Sequence, residues 1–219
     1  MKDQGQEGSC FAFAGAGCRE FLYRRYTQNE KMQRLAPADA VFSAQYLFYR
    51  VHELEGTLGQ DCGGQLRSVV KILNSNGVCL EKNDAYASGS AWVVPTSAQD
   101  AEARLFGAGA YHRLSTVDDM KRCLASGYAF MAGFAVHESF ENDSWLASGV
   151  MPVPKAKEQI LGGHAVLFFG YDDDRRAFRV RNSWGPKWCL GGNFWFPYQA
   201  AEDPKVLWDA WIQHLGKAW

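Results

Sequence analysis

Gly163-His164-Ala165-Val166-Leu167-Phe168-Phe169-Gly170-Tyr171-Asp172-Asp173-Asp174-Arg175-Arg176-Ala177-Phe178-Arg179-Val180-Arg181-Asn182-Ser183-Trp184 reads as a single supersecondary unit. Two strand-like runs, 165–171 and 177–183, flank the polar run 172–176, the pattern of two strands joined by a tight turn. A turn centred on Asp173 lies nine residues from both His164 and Asn182. An antiparallel ladder then sets the two opposite each other with Cβ atoms about 5 Å apart, within hydrogen-bond reach. The plain alternative is a His and an Asn that meet at strand ends by chance.

Working outward, residues 129–136 form a further apolar strand and residues 117–126 a short helix. The first third of the chain reads differently. Periodic apolar positions predict helices over 9–26, 43–55 and 64–76, the last stopped by Asn76-Gly77. Residues 88–100 read as a connection and 139–159 as a long loop. The expectation is an α+β fold in one domain, 1–219, with a helical lobe over about 1–105 and an antiparallel β lobe over about 106–219. The working surface is expected between the lobes, and the C-terminal tail is expected to pack back across.

Of 219 residues 47% are hydrophobic and 21% charged, the composition of a folded globule that needs no staple. Lys and Arg number 23 against 24 Asp and Glu, so no global field draws nucleic acid. No apolar run approaches the roughly 20 residues of a membrane helix, and residues 1–6 lack the apolar core of a signal peptide, which leaves the compartment open. The six cysteines form no Cys-x-x-Cys pair and have no His at zinc-ligand spacing, so no metal or other cofactor is expected. With Cys10 set aside, five remain, and most read as buried free thiols.

Cys10 is set aside because it opens the first helix, with Ser9 as N-cap, where unpaired N–H groups and the macrodipole stabilise a thiolate. A thiolate beside an imidazole held by an amide oxygen is a nucleophile, a base and an orienter, the arrangement of covalent acyl transfer. Asp3-Gln4-Gly5-Gln6-Glu7-Gly8-Ser9-Cys10-Phe11-Ala12-Phe13-Ala14, Gly163-His164-Ala165-Val166 and Asn182-Ser183-Trp184-Gly185 together resemble the three motifs of papain-like cysteine peptidases. Similarity at 43–49, 61–66, 77–81 and 194–198 leans toward bacterial members and extends the resemblance over nearly the whole chain.

The resemblance implies a two-lobe fold with Cys10 as nucleophile, His164 as acid and base, and Asn182 as the residue holding the imidazole. Gln4 would complete the oxyanion hole, and Trp184 would cover the His164–Asn182 bond. Gly63 and Gly64 would pair with an extended peptide, and Phe134 and Ala165 would line an apolar pocket. The implied partner is a peptide or protein substrate of a monomeric enzyme. An inhibitory pro-segment or partner is expected outside this chain, and secretion or delivery is favoured. A cysteine acyltransferase or deamidase using the same triad, and an idle binding module, are the rival readings.

Two departures matter. Glu7 and Asp61 stand where many family members carry a cysteine bridge. Two facing carboxylates would raise each other's pKa, so separation, or an intervening N–H or cation, is expected.

Overall fold

A computed structural model describes residues 2–26, 39–89 and 92–215. Helix α1 (Cys10–Tyr26) is buried all round from Phe11 to Glu20, because it packs inside the first of two hydrophobic cores, against the neighbouring helices and one face of the sheet. Helices α2 (Ala44–Glu55), capped by Ser43 Oγ from the Tyr46 N–H, and α3 (Leu66–Ser75) pack against it. Residues 64 and 65, expected at the start of α3, precede it.

Part of the expected connection over 88–100 is helical, a correction. Helix α4 (Ser97–Leu105) starts from a capping box in which Thr96 Oγ1 accepts the Gln99 N–H and the Gln99 side chain accepts the Thr96 N–H. Its C-terminal end is held by the fully buried Arg19, whose guanidinium donates to the Phe106 and Gly107 carbonyls. The expected loop over 139–159 likewise begins in structure, as helix α6 (Glu138–Glu141) and a 3₁₀ turn over Asp143–Trp145.

The second half is an antiparallel sheet of β1 (Ala108–Leu114), β2 (Phe130–His137), β3 (Ile160–Asp172), β4 (Ala177–Arg181), β5 (Asn193–Pro197) and β6 (Leu207–Leu215). Helices α5 (Val117–Ala125) and α7 (Tyr198–Glu202) complete the described elements. The strand order is β1-β6-β2-β3-β4-β5. The C-terminal tail thus enters the sheet as a strand between β1 and β2.

Alternation along the strands builds both cores. Met131, Ala165 and Leu167 face α1 and its neighbours, while Phe130, Ala132, Phe134, Val166 and Phe168 face the second core. The hairpin register differs from the one expected. Its turn spans Asp173–Arg176, with Arg176 at φ 49° and its N–H on the Asp173 carbonyl, so Asp172 pairs with Ala177. Phe169 is then an extra residue in β3, after which Phe168 pairs with Val180 and Leu167 with Arg181. That register, prolonged, would place His164 against Trp184 rather than Asn182.

Candidate active site

Cys10 opens α1, and the Ser9 carbonyl accepts the first helical N–H groups, from Ala12 at 2.9 Å and Phe13 at 3.2 Å. The Ser9 side chain does not cap the helix as expected. Its hydroxyl bonds the Tyr86 hydroxyl at 2.9 Å. That diversion leaves the first N–H groups of α1 to the sulfur. Burial pushes the Cys10 thiol up, and the backbone amides of Ala165, Phe11 and Cys10 pull it back toward ionisation. The Ala165 amide also ties the nucleophile to the residue after His164.

His164 is buried, and its Nε2 lies 2.7 Å from Asn182 Oδ1 although the ladder does not oppose the two residues. The Asn182 N–H bonds the Gly192 carbonyl at 2.9 Å, continuing the β4–β5 register one residue beyond Arg181. Asn182 Oδ1 also accepts the Ser183 backbone N–H at 2.8 Å. That donor fixes the amide orientation, so the imidazole must donate from Nε2. The neutral ring therefore carries its proton on Nε2 and its lone pair on Nδ1. Burial lowers the His164 pKa to about 4, and the Asn182 bond opposes the shift.

Trp184 lies over the ring, 5.0 Å between centroids and tilted by 33°. Phe134 meets the ring edge-on at 5.7 Å and is itself fully buried against Phe140 and Phe196. The structure therefore places Phe134 in the second core beneath His164, not on an open pocket wall. Ala165 keeps 7% of its surface exposed beside Cys10.

Gln4 is buried, and its backbone N–H bonds the Ser183 carbonyl at 2.8 Å. Its Nε2 donates one proton to the Glu7 carbonyl at 2.8 Å, and its Oε1 accepts from the Ser183 hydroxyl at 2.5 Å. The carbonyl can only accept, so the amide orientation is set and one N–H remains to be directed.

Glu7 and Asp61 do not face each other unaided. Asp61 Oδ1 accepts the Gly8 N–H at 2.8 Å, while Glu7 takes the Tyr86 hydroxyl at 2.6 Å and the Gly89 N–H at 2.9 Å. The Gly8–Asp61 bond thus ties the nucleophile loop to the Gly63 turn. Gly63 sits at φ 73°, and a Cβ on Gly64 would stand 2.9 Å from Phe11 Cζ and from Val51 Cγ1, so close packing requires the glycine.

All six cysteines are free, with Cys18, Cys79 and Cys123 buried and Cys62 exposed. Among the described residues no group of three His, Cys, Asp or Glu side chains could hold a metal ion. Sequence reasoning gave no role to Ser183 or Tyr86. Nor does it place Trp208, whose indole lies 3.6 Å from the position a Cβ on Gly163 would occupy. Ser183 stood inside a quoted motif, but nothing in its spacing announces a bond to a residue near the other end of the chain.

Residues 1–205 match the model of the papain family cysteine proteases. An uncharacterized peptidase C1-like protein of Acanthamoeba polyphaga mimivirus is 34% identical over 220 residues, covering 96% of this chain and 68% of that protein. The crystal structure of xylellain, a cysteine protease from Xylella fastidiosa, superposes with a TM-score of 0.86 at 30% identity, covering 99% of this chain and 82% of that one. A procathepsin B from Trypanosoma congolense shares the fold with a TM-score of 0.70 at 18% identity, covering 98% and 71%. The leaning toward bacterial members has xylellain on its side, while the viral protein is the more identical of the two.

Proposed function

The chain belongs to the papain family of cysteine proteases, and on that premise we propose that it cuts peptide bonds through a thioester on Cys10, with His164 as base and then acid. Nδ1 of His164 takes the thiol proton, and the thiolate adds to the scissile carbonyl carbon. The resulting oxyanion lies between the Cys10 N–H and the remaining Gln4 N–H, donors oriented before the charge appears. His164 returns its proton to the leaving amine as the C–N bond breaks. Water, deprotonated by the same nitrogen, then cleaves the thioester and restores the thiol.

The observation that carries this reading is the Asn182 amide. Fixed by the Ser183 N–H, it accepts from His164 Nε2 and leaves Nδ1 as the base. An extended peptide would lie along Gly63 and Gly64, with Ala165 and Trp184 beside the reacting bond. The family match over residues 1–205 and the pairing of β6 with β2 support a single protease domain. The proform among the similar structures supports restraint by a pro-segment.

The test is an irreversible epoxide inhibitor of thiol peptidases, read by intact mass and peptide mapping. One adduct on Cys10, absent from His164→Ala, is expected, and Cys10→Ala should abolish turnover while the fold persists. Indiscriminate labelling of the other five thiols, or normal turnover by Cys10→Ala, would overturn the assignment.

A further inference from the structure

The loop between Asp3 and Cys10 carries both proposed oxyanion donors, and its backbone is tied by the Asp3–Trp184 bridge, by the Gln4 N–H on the Ser183 carbonyl and by the Gly8 N–H on Asp61. Between these ties, one side chain from a distant segment contacts three of its residues. The Tyr86 hydroxyl lies 2.8 Å from the Gln4 carbonyl, 2.6 Å from Glu7 Oε2 and 2.9 Å from Ser9 Oγ. These partners belong to the oxyanion-hole residue, the residue whose carbonyl holds its amide, and the residue before the nucleophile.

The proton count closes. Ser9 donates to the phenol oxygen, and the single phenol proton is shared between the Gln4 carbonyl and the Glu7 carboxylate, which can only accept. Glu7 is anchored on its other oxygen by the Gly89 N–H at 2.9 Å, so the hub is tied to the backbone of its own segment. The Tyr86 ring is placed by Phe13 of α1, edge-on at 4.7 Å. Burial and the Glu7 carboxylate keep the phenol protonated by pushing its pKa up.

Resting on the proposed peptidase reading, we propose that Tyr86, with Glu7, is a positioning residue that holds the Gln4–Cys10 loop in the geometry the oxyanion requires. Tyr86 touches neither the reacting atoms nor His164. Its loss should therefore weaken stabilisation of the oxyanion and leave ionisation of Cys10 unaltered.

Three measurements separate these effects. Hydrolysis of a fluorogenic peptide amide and the affinity of a peptide aldehyde both place an oxyanion in the hole, whereas alkylation of Cys10 by iodoacetamide needs only the thiolate. In Tyr86→Phe the first two should fall together, on the order of tenfold, below the 10²- to 10³-fold cost of deleting a donor outright. The alkylation rate and its pH profile should match the unaltered protein. Glu7→Ala should behave as Tyr86→Phe does, and Glu7→Gln, which keeps a contact to both the phenol and Gly89, should recover most of the loss.

An alkylation rate that falls as far as hydrolysis would overturn the proposal, as would hydrolysis and aldehyde affinity that do not change. If Tyr86→Phe fails to fold, the Glu7 pair decides: equal activity of Glu7→Ala and Glu7→Gln overturns it. An unaltered protein that alkylates at Cys10 but neither binds aldehyde nor cuts peptides overturns the peptidase reading instead.

Discussion

Ser183 contributes twice to the site, its backbone N–H fixing Asn182 Oδ1 and its hydroxyl fixing Gln4 Oε1. Ser183→Ala keeps the first contact and removes the second, leaving a buried amide oxygen without its donor. A lost buried hydrogen bond costs about 1–3 kcal/mol, so we expect kcat/KM to fall about tenfold, with the loss in kcat, in peptide-amide kinetics normalised by active-site titration. The two ionisations of the Cys10–His164 pair belong to the pair rather than to either residue. Burial holds the lower near 4 through His164 and raises the upper above the ordinary thiol value through Cys10. The profile of kcat/KM against pH should therefore be a broad bell. Its acid limb should lie near pH 4, where His164 is protonated beside a neutral thiol, and its alkaline limb above the ordinary thiol range. An acid limb near 6.5 would contradict the burial of His164.

At the scale of elements, α1 works because small residues let its neighbours approach. A Cβ on Gly15 would stand 2.5 Å from Val69 Cγ1 and 3.2 Å from Leu47 Cδ1, both in fully buried side chains. Alanine improves helix propensity by about 1 kcal/mol, but overpacking a close interface costs about 1–3 kcal/mol. Packing should win because Val69 is β-branched and has no alternative space. Gly15→Ala is expected to lower the urea midpoint by a net loss of roughly 1 kcal/mol, with the m-value unchanged. The same scale explains which elements the sequence disclosed. Long periodic runs such as α1 and α2 were read within a residue or two. Helix α4 was missed although Thr96 and Gln99 already spelled its capping box. The hairpin was recognised, but its register was not, because the Asp-rich run does not disclose a four-residue turn or the bulge at Phe169.

Across the whole molecule, one sheet serves two cores, and the N-terminal segment stitches the halves together. Asp3 bridges to Trp184, and Lys2 reaches Glu20 and Glu81. His164 lies within this shared structure, and its depressed pKa becomes a property of global stability. Between pH 6.5 and about 4 the unfolded chain binds a proton that the native chain excludes, so stability falls on acidification. A shift of that size corresponds to roughly 3 kcal/mol, and the buried His52, also lowered by desolvation, adds in the same sense. Urea unfolding at pH 4.5 and pH 7 should show the loss, and His164→Gln should flatten it. An equal slope in that variant would assign the acid sensitivity elsewhere. The sequence by itself determined the family, the α+β order and the residue types at positions 4, 10, 164 and 182, because local periodicity and short motifs are written in neighbouring residues. Only the tertiary structure decided how those positions are held. The Ser183–Gln4 bond, the Tyr86 hub and the entry of β6 between β1 and β2 join residues far apart in the chain, and the aperiodic segments that carry them leave no local signal.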